Sequence, residues 1–297
     1  MMLLRSLLFL PGNNPNMLAN GDILGADGII FDLEDAVAPD EKDAARILVR
    51  SCLKQMKLIG VTTIIRINSL DSYDYWKEDL DELIPCRPDI ILIPKVNDPK
   101  EVIIASEYIA ELELISGIEK GRIRIMPLIE TALGVENAFA IASADQRNIA
   151  LFLGAEDLTA DMRCQRTTEG TEIFYARNRV VMAARAAGIE AIDTPFTDIN
   201  DENGNYQDAV TAKMIGFSGK ANITPRHVKT VNQVFSPTAE EIEYAHEVLF
   251  AIEKAKEQGK GAVSLYGKMI DKPIVLRAEQ VLAMEEALIR KGSACYE

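Results

Sequence analysis

Eight short apolar runs punctuate most of the chain, and each is followed by a longer segment whose apolar residues recur three and four positions apart. Strand-length runs alternating with amphipathic helices mark a parallel α/β fold, because a parallel strand pair needs a long crossover between its members. The runs are Ser6–Leu10, Gly28–Phe31, Thr63–Ile67, Ile90–Ile93, Arg124–Ile129, Ile149–Leu153, Ala191–Asp193 and Ala221–Ile223. The last two are weakly apolar and are assigned by position as much as by composition. Helices are expected over Glu41–Lys57, Pro99–Leu114, Ala132–Ala142, Glu172–Ala187 and Gln207–Ile215, with Gly188 and Gly216 as left-handed C-caps. Eight right-handed strand-helix units in about 235 residues can close on themselves, so the expected fold is a (β/α)8 TIM barrel over residues 1–235. Residues 236–297 depart from this pattern and read as a C-terminal helical extension. Its helical stretches, Thr238–Gln258 and Arg277–Lys291, are joined by a partly extended, glycine-containing segment that includes GAVSLYGKMID. The extension is expected to close over the barrel mouth or to lie over a neighbouring subunit.

Charge narrows the range of partners. With 32 basic and 46 acidic residues the chain carries a net −14, which disfavours nucleic-acid phosphates and anionic lipid, and no basic patch offsets it. Cys52, Cys86, Cys164 and Cys295 form no CxxC pair, and with only His227 and His246 in the chain there is no zinc-type spacing, so the cysteines read as reduced thiols. The histidines, each alone, read as packing or surface residues. Leu3–Leu10 is too short an apolar run to span a bilayer and lacks a small-residue cleavage site, so a cytoplasmic protein is expected.

In a barrel of this kind the active site sits at the C-terminal ends of the strands, so polar residues that directly follow an apolar run carry most weight. Asp32, Glu34 and Asp35 follow the second run, Arg66 lies in the third, Lys95 ends the fourth, Glu130 the fifth, and Glu156 and Asp157 follow the sixth. Strand ends far apart in sequence converge around one axis, where Glu130 and Asp157 could face one cation and Arg66 a bound carboxylate. That composition suits magnesium, which takes oxygen ligands, often only one or two carboxylates, and completes its octahedron with water or substrate oxygens. Any one of these carboxylates also fits a helix cap or a structural ion pair, Asp35 and Asp40 above all. Five strands ending this way together favour a site.

The segments RSLLFLPGNNPNML, FDLEDAVAPDEKDAAR, IRIN, PLIETALGVENA, FLGAEDL, EGTEIFYAR, GFSGKANITPRHV and VSLYGKMID follow one another along nearly the whole chain. In that order they resemble the citrate lyase β-subunit family, within the larger superfamily of CitE-like and HpcH/HpaI-like metal-dependent lyases and aldolases. The resemblance implies Mg2+ held by Glu130 and Asp157, with Arg66 on the oxaloacetate-like part of the substrate and Glu130 beside it. It implies that Asp32, Glu34 and Asp35, with Lys95 alongside, order metal-bound water, and that Asp271 in GKMID is an acid/base residue contributed by the tail. The chain departs from the family at Thr224-Pro225-Arg226, where members commonly carry Asn-Pro-Arg or His-Pro-Arg, and at Tyr266, where they commonly carry Asn or Asp. Those changes bear on the carrier and the acyl chain rather than on the reaction type.

The reaction so implied is retro-Claisen cleavage of a citryl thioester to oxaloacetate and an acetyl thioester. The metal would act as Lewis acid and Asp271 would protonate the departing enolate carbon. The thioester would ride on an acyl-carrier protein or coenzyme A, and the chain would work as a homo-oligomer, a trimer, with citrate lyase α and carrier subunits. A stand-alone citramalyl-CoA or malyl-CoA lyase, a metal-dependent keto-acid aldolase and a non-catalytic scaffold subunit are the competing readings. The stretch EGTEIFYARNRVVMAARAAGIEAIDTPFTDIN looks closer to citrate lyase β subunits than to malyl-CoA lyases.

Overall fold

The computed structural model describes residues 2–55, 58–257 and 263–294, which fall into two compact units, Leu4–Gln233 and a second one made of the first residues with Val234 onward. In the first unit, β1 (Ser6–Pro11), β2 (Gly28–Asp32), β3 (Thr62–Arg66), β4 (Ile90–Ile93), β5 (Arg124–Ile129), β6 (Ala150–Leu153), β7 (Glu190–Asp193) and β8 (Gly219–Asn222) pair in sequence order, and β1 closes on β8. All the pairings are parallel. Between and after the strands run α1 (Pro15–Ala19), α2 (Lys42–Gln55), α3 (Tyr75–Leu83), α4 (Pro99–Ile115), α5 (Ala132–Glu136), α6 (Ala138–Ala142), α7 (Ala155–Asp161), α8 (Phe174–Ala187), α9 (Glu202–Ile215) and α10 (Pro225–Phe235). This is the (β/α)8 barrel that the alternation implied.

The strands read as continuous apolar runs because both of their faces are buried, one against the helices and one in the barrel. The inward residues form a single core of Leu7, Ile30, Ile64, Leu92, Leu128, Phe152 and Ile192 with their neighbours. A strand alternates faces with period two, so the next inward position beyond this core is Phe9 on β1, Asp32 on β2 and Arg66 on β3. By the same count it is Glu130 after β5, Gly154 after β6 and Thr194 after β7. The uppermost layer of the barrel interior is therefore polar where the layers below are not.

β7 and β8 were weak in the sequence because polar side chains lie buried at their ends. Asp193 and Lys220 join Arg177 of α8 and Asp208 of α9 in one ion cluster: Arg177 Nε and Nη2 donate to Asp193 at 3.0 and 2.9 Å, and Lys220 Nζ donates to Asp193 at 2.7 Å. Buried charge is tolerated where each member is paired in this way.

Several helix limits differ from expectation. α9 begins at Glu202, not Gln207, because Asp201 caps it by accepting from Gly204 N–H at 2.8 Å, and the polar first turn hid the start. Residues 132–142 break into α5 and α6 at Asn137, and the expected start at Glu172 is a short 3-10 turn ahead of α8. The expected end of the second helix at Lys57 lies outside the described residues. Gly188 and Gly216 do cap α8 and α9 in the left-handed conformation.

The second unit holds α11 (Ala239–Glu257), an antiparallel hairpin of β9 (Val263–Leu265) and β10 (Lys268–Ile270), and α12 (Lys272–Ala294) around Ala245, Val248, Ile270 and Ala278. The segment expected to be a partly extended loop is thus a hairpin, although residues 259–262, like Gln258 and Cys295, lie outside the described residues. Its turn, Tyr266-Gly267, has φ of +50° and +75°, as a two-residue hairpin loop of the mirror-image type requires. α12 starts at Lys272 rather than Arg277, because Asp271 Oδ1 accepts from Ile274 N–H at 3.2 Å and caps it. Among the described residues no helix is long and apolar enough to cross a membrane.

Candidate active site

The polar top layer opens into a cavity of ≈ 450 Å³ lined by Phe9, Asp32, Arg66, Glu130, Asp157 and Thr194, among others. Asp32 and Arg66 end neighbouring strands in register. Arg66 donates from Nε and Nη2 to the two oxygens of Asp32 at 2.7 and 2.6 Å, a bidentate pair buried at the barrel mouth. The face of the guanidinium lies against Phe9, with Cζ 5.0 Å from the ring centroid, and Phe9 in turn packs on Phe152 at 5.9 Å. Burial works against the charge on Arg66, but hydrogen bonding to Asp32 and the fields of Asp32, Glu34 and Glu130 outweigh it and hold the guanidinium protonated more firmly than usual.

Glu34 bridges two cations. One oxygen lies 2.7 Å from Lys95 Nζ and the other 3.0 Å from Arg66 Nη1. Burial raises its pKa, with Asp35 adding to the effect and Arg66 and Lys95 opposing it. Lys95 also approaches Asp35, at 3.3 Å, and Glu34, Asp35 and Lys95 line a second cleft of ≈ 420 Å³. Asp35 faces both clefts.

Glu130 is buried, and its Oε1 accepts from the backbone N–H of Lys95 at 2.8 Å. Its pKa is raised well above the usual carboxylate range, first by burial and then by Glu34 and Asp157, against the opposing pull of Arg66 and Lys95 N–H. Gly154 makes room for it: a Cβ there would stand 2.6 Å from Glu130 Oε2. Since Gly154 has an ordinary φ of −104°, its lack of a side chain serves space and not conformation. Asp157 sits in the first turn of α7, whose first N–H, that of Ala155, donates to Thr194 Oγ1 at 3.1 Å.

The family model described as HpcH/HpaI aldolase/citrate lyase matches residues 5–225. The chain belongs to the HpcH/HpaI aldolase/citrate lyase family. Within the family it is 44% identical over 283 residues to a protein named citrate lyase subunit beta from Leuconostoc mesenteroides subsp. cremoris, covering 95% of this chain and 93% of that one. It superposes with a TM-score of 0.73 at 29% identity on the Mycobacterium tuberculosis protein CitE in complex with magnesium, acetoacetate and coenzyme A, covering 94% of this chain and 97% of that one. A citrate lyase β subunit from the same organism, complexed with oxaloacetate and magnesium, superposes at 0.66 with 28% identity over 78% of this chain and 97% of that one.

The residues of this family member fit a divalent cation of the magnesium kind. Glu130 and Asp157 border the same cavity, Asp157 adds to the cost of ionising Glu130, and a positive charge between them would relieve it. Among the described residues no three His, Cys, Asp or Glu side chains gather as a full cage. Of the positions singled out in the sequence, Asp32, Asp35, Arg66, Glu130, Glu156 and Asp157 meet at this cavity, and Glu34 and Lys95 stand directly behind it. Asp271 belongs to the other unit, as the cap of α12. His227 is buried against Phe196 and burial lowers its pKa, while His246 lies on α11 near Glu285. Sequence reasoning missed Phe9, Gly154 and Thr194, which extending the two-residue alternation past each apolar run would have found.

Proposed function

We propose that this protein carries out the citrate lyase β-subunit reaction: magnesium-dependent cleavage of a citryl thioester to oxaloacetate and an acetyl thioester. What supports this is a cavity bordered by Glu130, Asp157 and Arg66 in a chain that matches a citrate lyase β subunit almost end to end.

Glu130 and Asp157 would hold the magnesium ion, which when bound supplies a Lewis acid beside the substrate hydroxyl and its neighbouring carboxylate. Arg66 orients that carboxylate. Asp32 occupies Nε and one proton of Nη2, and Glu34 stands against Nη1, which leaves the second proton of each Nη for a substrate anion. Phe9 backs the guanidinium and Phe152 backs Phe9, so the donors are held in place before substrate arrives. The substrate hydroxyl gives up its proton to the carboxylate of Asp271, brought by the tail of a neighbouring subunit, as the adjacent carbon–carbon bond breaks, and the acetyl thioester leaves as its enolate. Asp271 returns a proton to the enolate carbon. Apolar side chains of Phe9, Leu128, Phe152 and Ile223 line the same cavity and limit water around the enolate.

The thioester is carried by an acyl-carrier protein or coenzyme A. The protein works in the cytoplasm as a homotrimer in association with citrate lyase α and carrier subunits, the C-terminal extension lying over a neighbouring subunit. An assay of citryl-CoA beside citramalyl-CoA with Mg2+, following keto-acid release, tests the reaction. Oxaloacetate from citryl-CoA is the expected product. Preference for citramalyl-CoA would assign the chain to the stand-alone lyases, and no magnesium binding by calorimetry together with no turnover would make it a scaffold subunit.

A further inference from the structure

Lys42 is the first residue of α2, and it is buried. Two local rules oppose a lysine there: a buried ammonium loses its hydration, and a cation at a helix N-terminus faces the positive end of the helix dipole. Its Nζ donates to the main-chain carbonyls of Leu33 and Glu34, both at 2.6 Å. Those carbonyls belong to the segment that leaves β2 and carries Asp32, Glu34 and Asp35.

The main chain of Glu34 is held from both sides. Its N–H donates to Asp32 Oδ1 at 2.9 Å, and its carbonyl accepts from Lys42 Nζ and from Val37 N–H at 3.0 Å. With the backbone fixed, the carboxylate stands between Arg66 Nη1 and Lys95 Nζ. Asp32 at 2.6 Å and Glu34 at 3.0 Å are the carboxylates nearest the guanidinium of Arg66, with the exposed Asp35 farther off at 3.9 Å. We propose that Lys42 is a positioning residue of the active site, which sets Glu34 and through it aims Arg66 at the substrate carboxylate. This rests on the role given above to Arg66.

Truncation of Lys42 strands the Leu33 carbonyl, leaves the Glu34 carbonyl with the Val37 N–H alone and loosens the segment, so Glu34 no longer meets Arg66 at the same place. The test is calorimetric titration of the full-length, magnesium-loaded protein with oxaloacetate, below the melting transition of every variant. Lys42→Met should weaken oxaloacetate binding ~10-fold, as loss of a supporting hydrogen bond behind a site does, while magnesium affinity stays near that of the parent. Lys42→Arg, which keeps charge and donors, should restore most of it. Because Lys42 acts through Glu34, Lys42→Met in a Glu34→Gln background should add little further loss. If Lys42→Met does not fold, Lys42→Gln, which keeps one donor, carries the same comparison. A merely structural lysine would lower the melting temperature and leave the oxaloacetate affinity of the folded protein unchanged, and that result overturns the proposal. Arg66→Gln separates the two ideas: undiminished oxaloacetate binding in that variant removes Arg66 from the site, whereas loss there with none in Lys42→Met removes Lys42 alone.

Discussion

Lys95 reaches Glu130 through its backbone: the N–H donates to Oε1 at 2.8 Å from a left-handed conformation, φ +56°. The same residue sends its Nζ to Glu34. A non-glycine residue held at positive φ is strained, and here the strain delivers an amide to the buried carboxylate and an ammonium to its neighbour. Lys95→Gly and Lys95→Ala both keep the amide and lose Nζ, but only the glycine relieves the backbone. The glycine variant should be the more stable of the two by about 1 kcal/mol, measured by urea denaturation. Equal stabilities would mean that the conformation carries no cost.

Gly154 and Glu130 give a second test. Gly154→Ala places a methyl group in the space of Glu130 Oε2 without disturbing an ordinary φ. Magnesium affinity of the folded variant should fall by roughly 10- to 100-fold, the scale of displacing a ligand's carboxylate, and crowding of Glu130 Cβ at 2.8 Å should also lower stability by about 1–3 kcal/mol. Parent-like affinity in a calorimetric titration would take Glu130 out of the ligand set.

Asp271→Asn isolates proton transfer from capping. Asparagine caps a helix about as well as aspartate does, so α12 should keep its first turn. Turnover of citryl-CoA should drop ~100-fold or more with magnesium affinity nearly unchanged, the scale of losing a general acid. Near-parent turnover would return Asp271 to a purely structural role.

Glu113 makes acid stability readable at the other end of the barrel. It is fully buried and accepts from Arg147 Nη1 and Nη2 at 2.9 and 2.6 Å and from Gly121 N–H and Ile123 N–H at 2.8 Å. Burial alone would raise its pKa, but Arg147 and the two amides outweigh it and the pKa is lowered. A carboxylate whose pKa is depressed by folding adds stability that is complete above its unfolded value of roughly 4.3 and disappears as pH falls through the folded value. Glu113→Gln should therefore cost about 3 kcal/mol at neutral pH and lose part of the parent's slope of stability below about pH 4.5. Denaturation curves at stepped pH check both, and an unchanged slope would show that Glu113 is not the group responsible.

The sequence determined the order and number of barrel strands, since the apolar runs and the alternation of faces are local properties of the chain. It determined that carboxylates cluster at strand tips, because position after an apolar run is also local. The left-handed caps Gly188 and Gly216 are one-turn effects of the same kind, and so are the caps Asp201 and Asp271, although the helix starts expected from the sequence fall later, at Gln207 and Arg277. Only the tertiary structure decided the pairings: Asp32 with Arg66 across a parallel register, Glu34 between Arg66 and Lys95, and the amide of Lys95 on Glu130. It also decided that Asp193, Lys220 and Lys42 are buried at all, against their polarity. The physical reason is that a charge can leave water only when partners from distant segments meet it, and which segments meet is fixed by closure of the barrel, not by the neighbours of each residue in sequence.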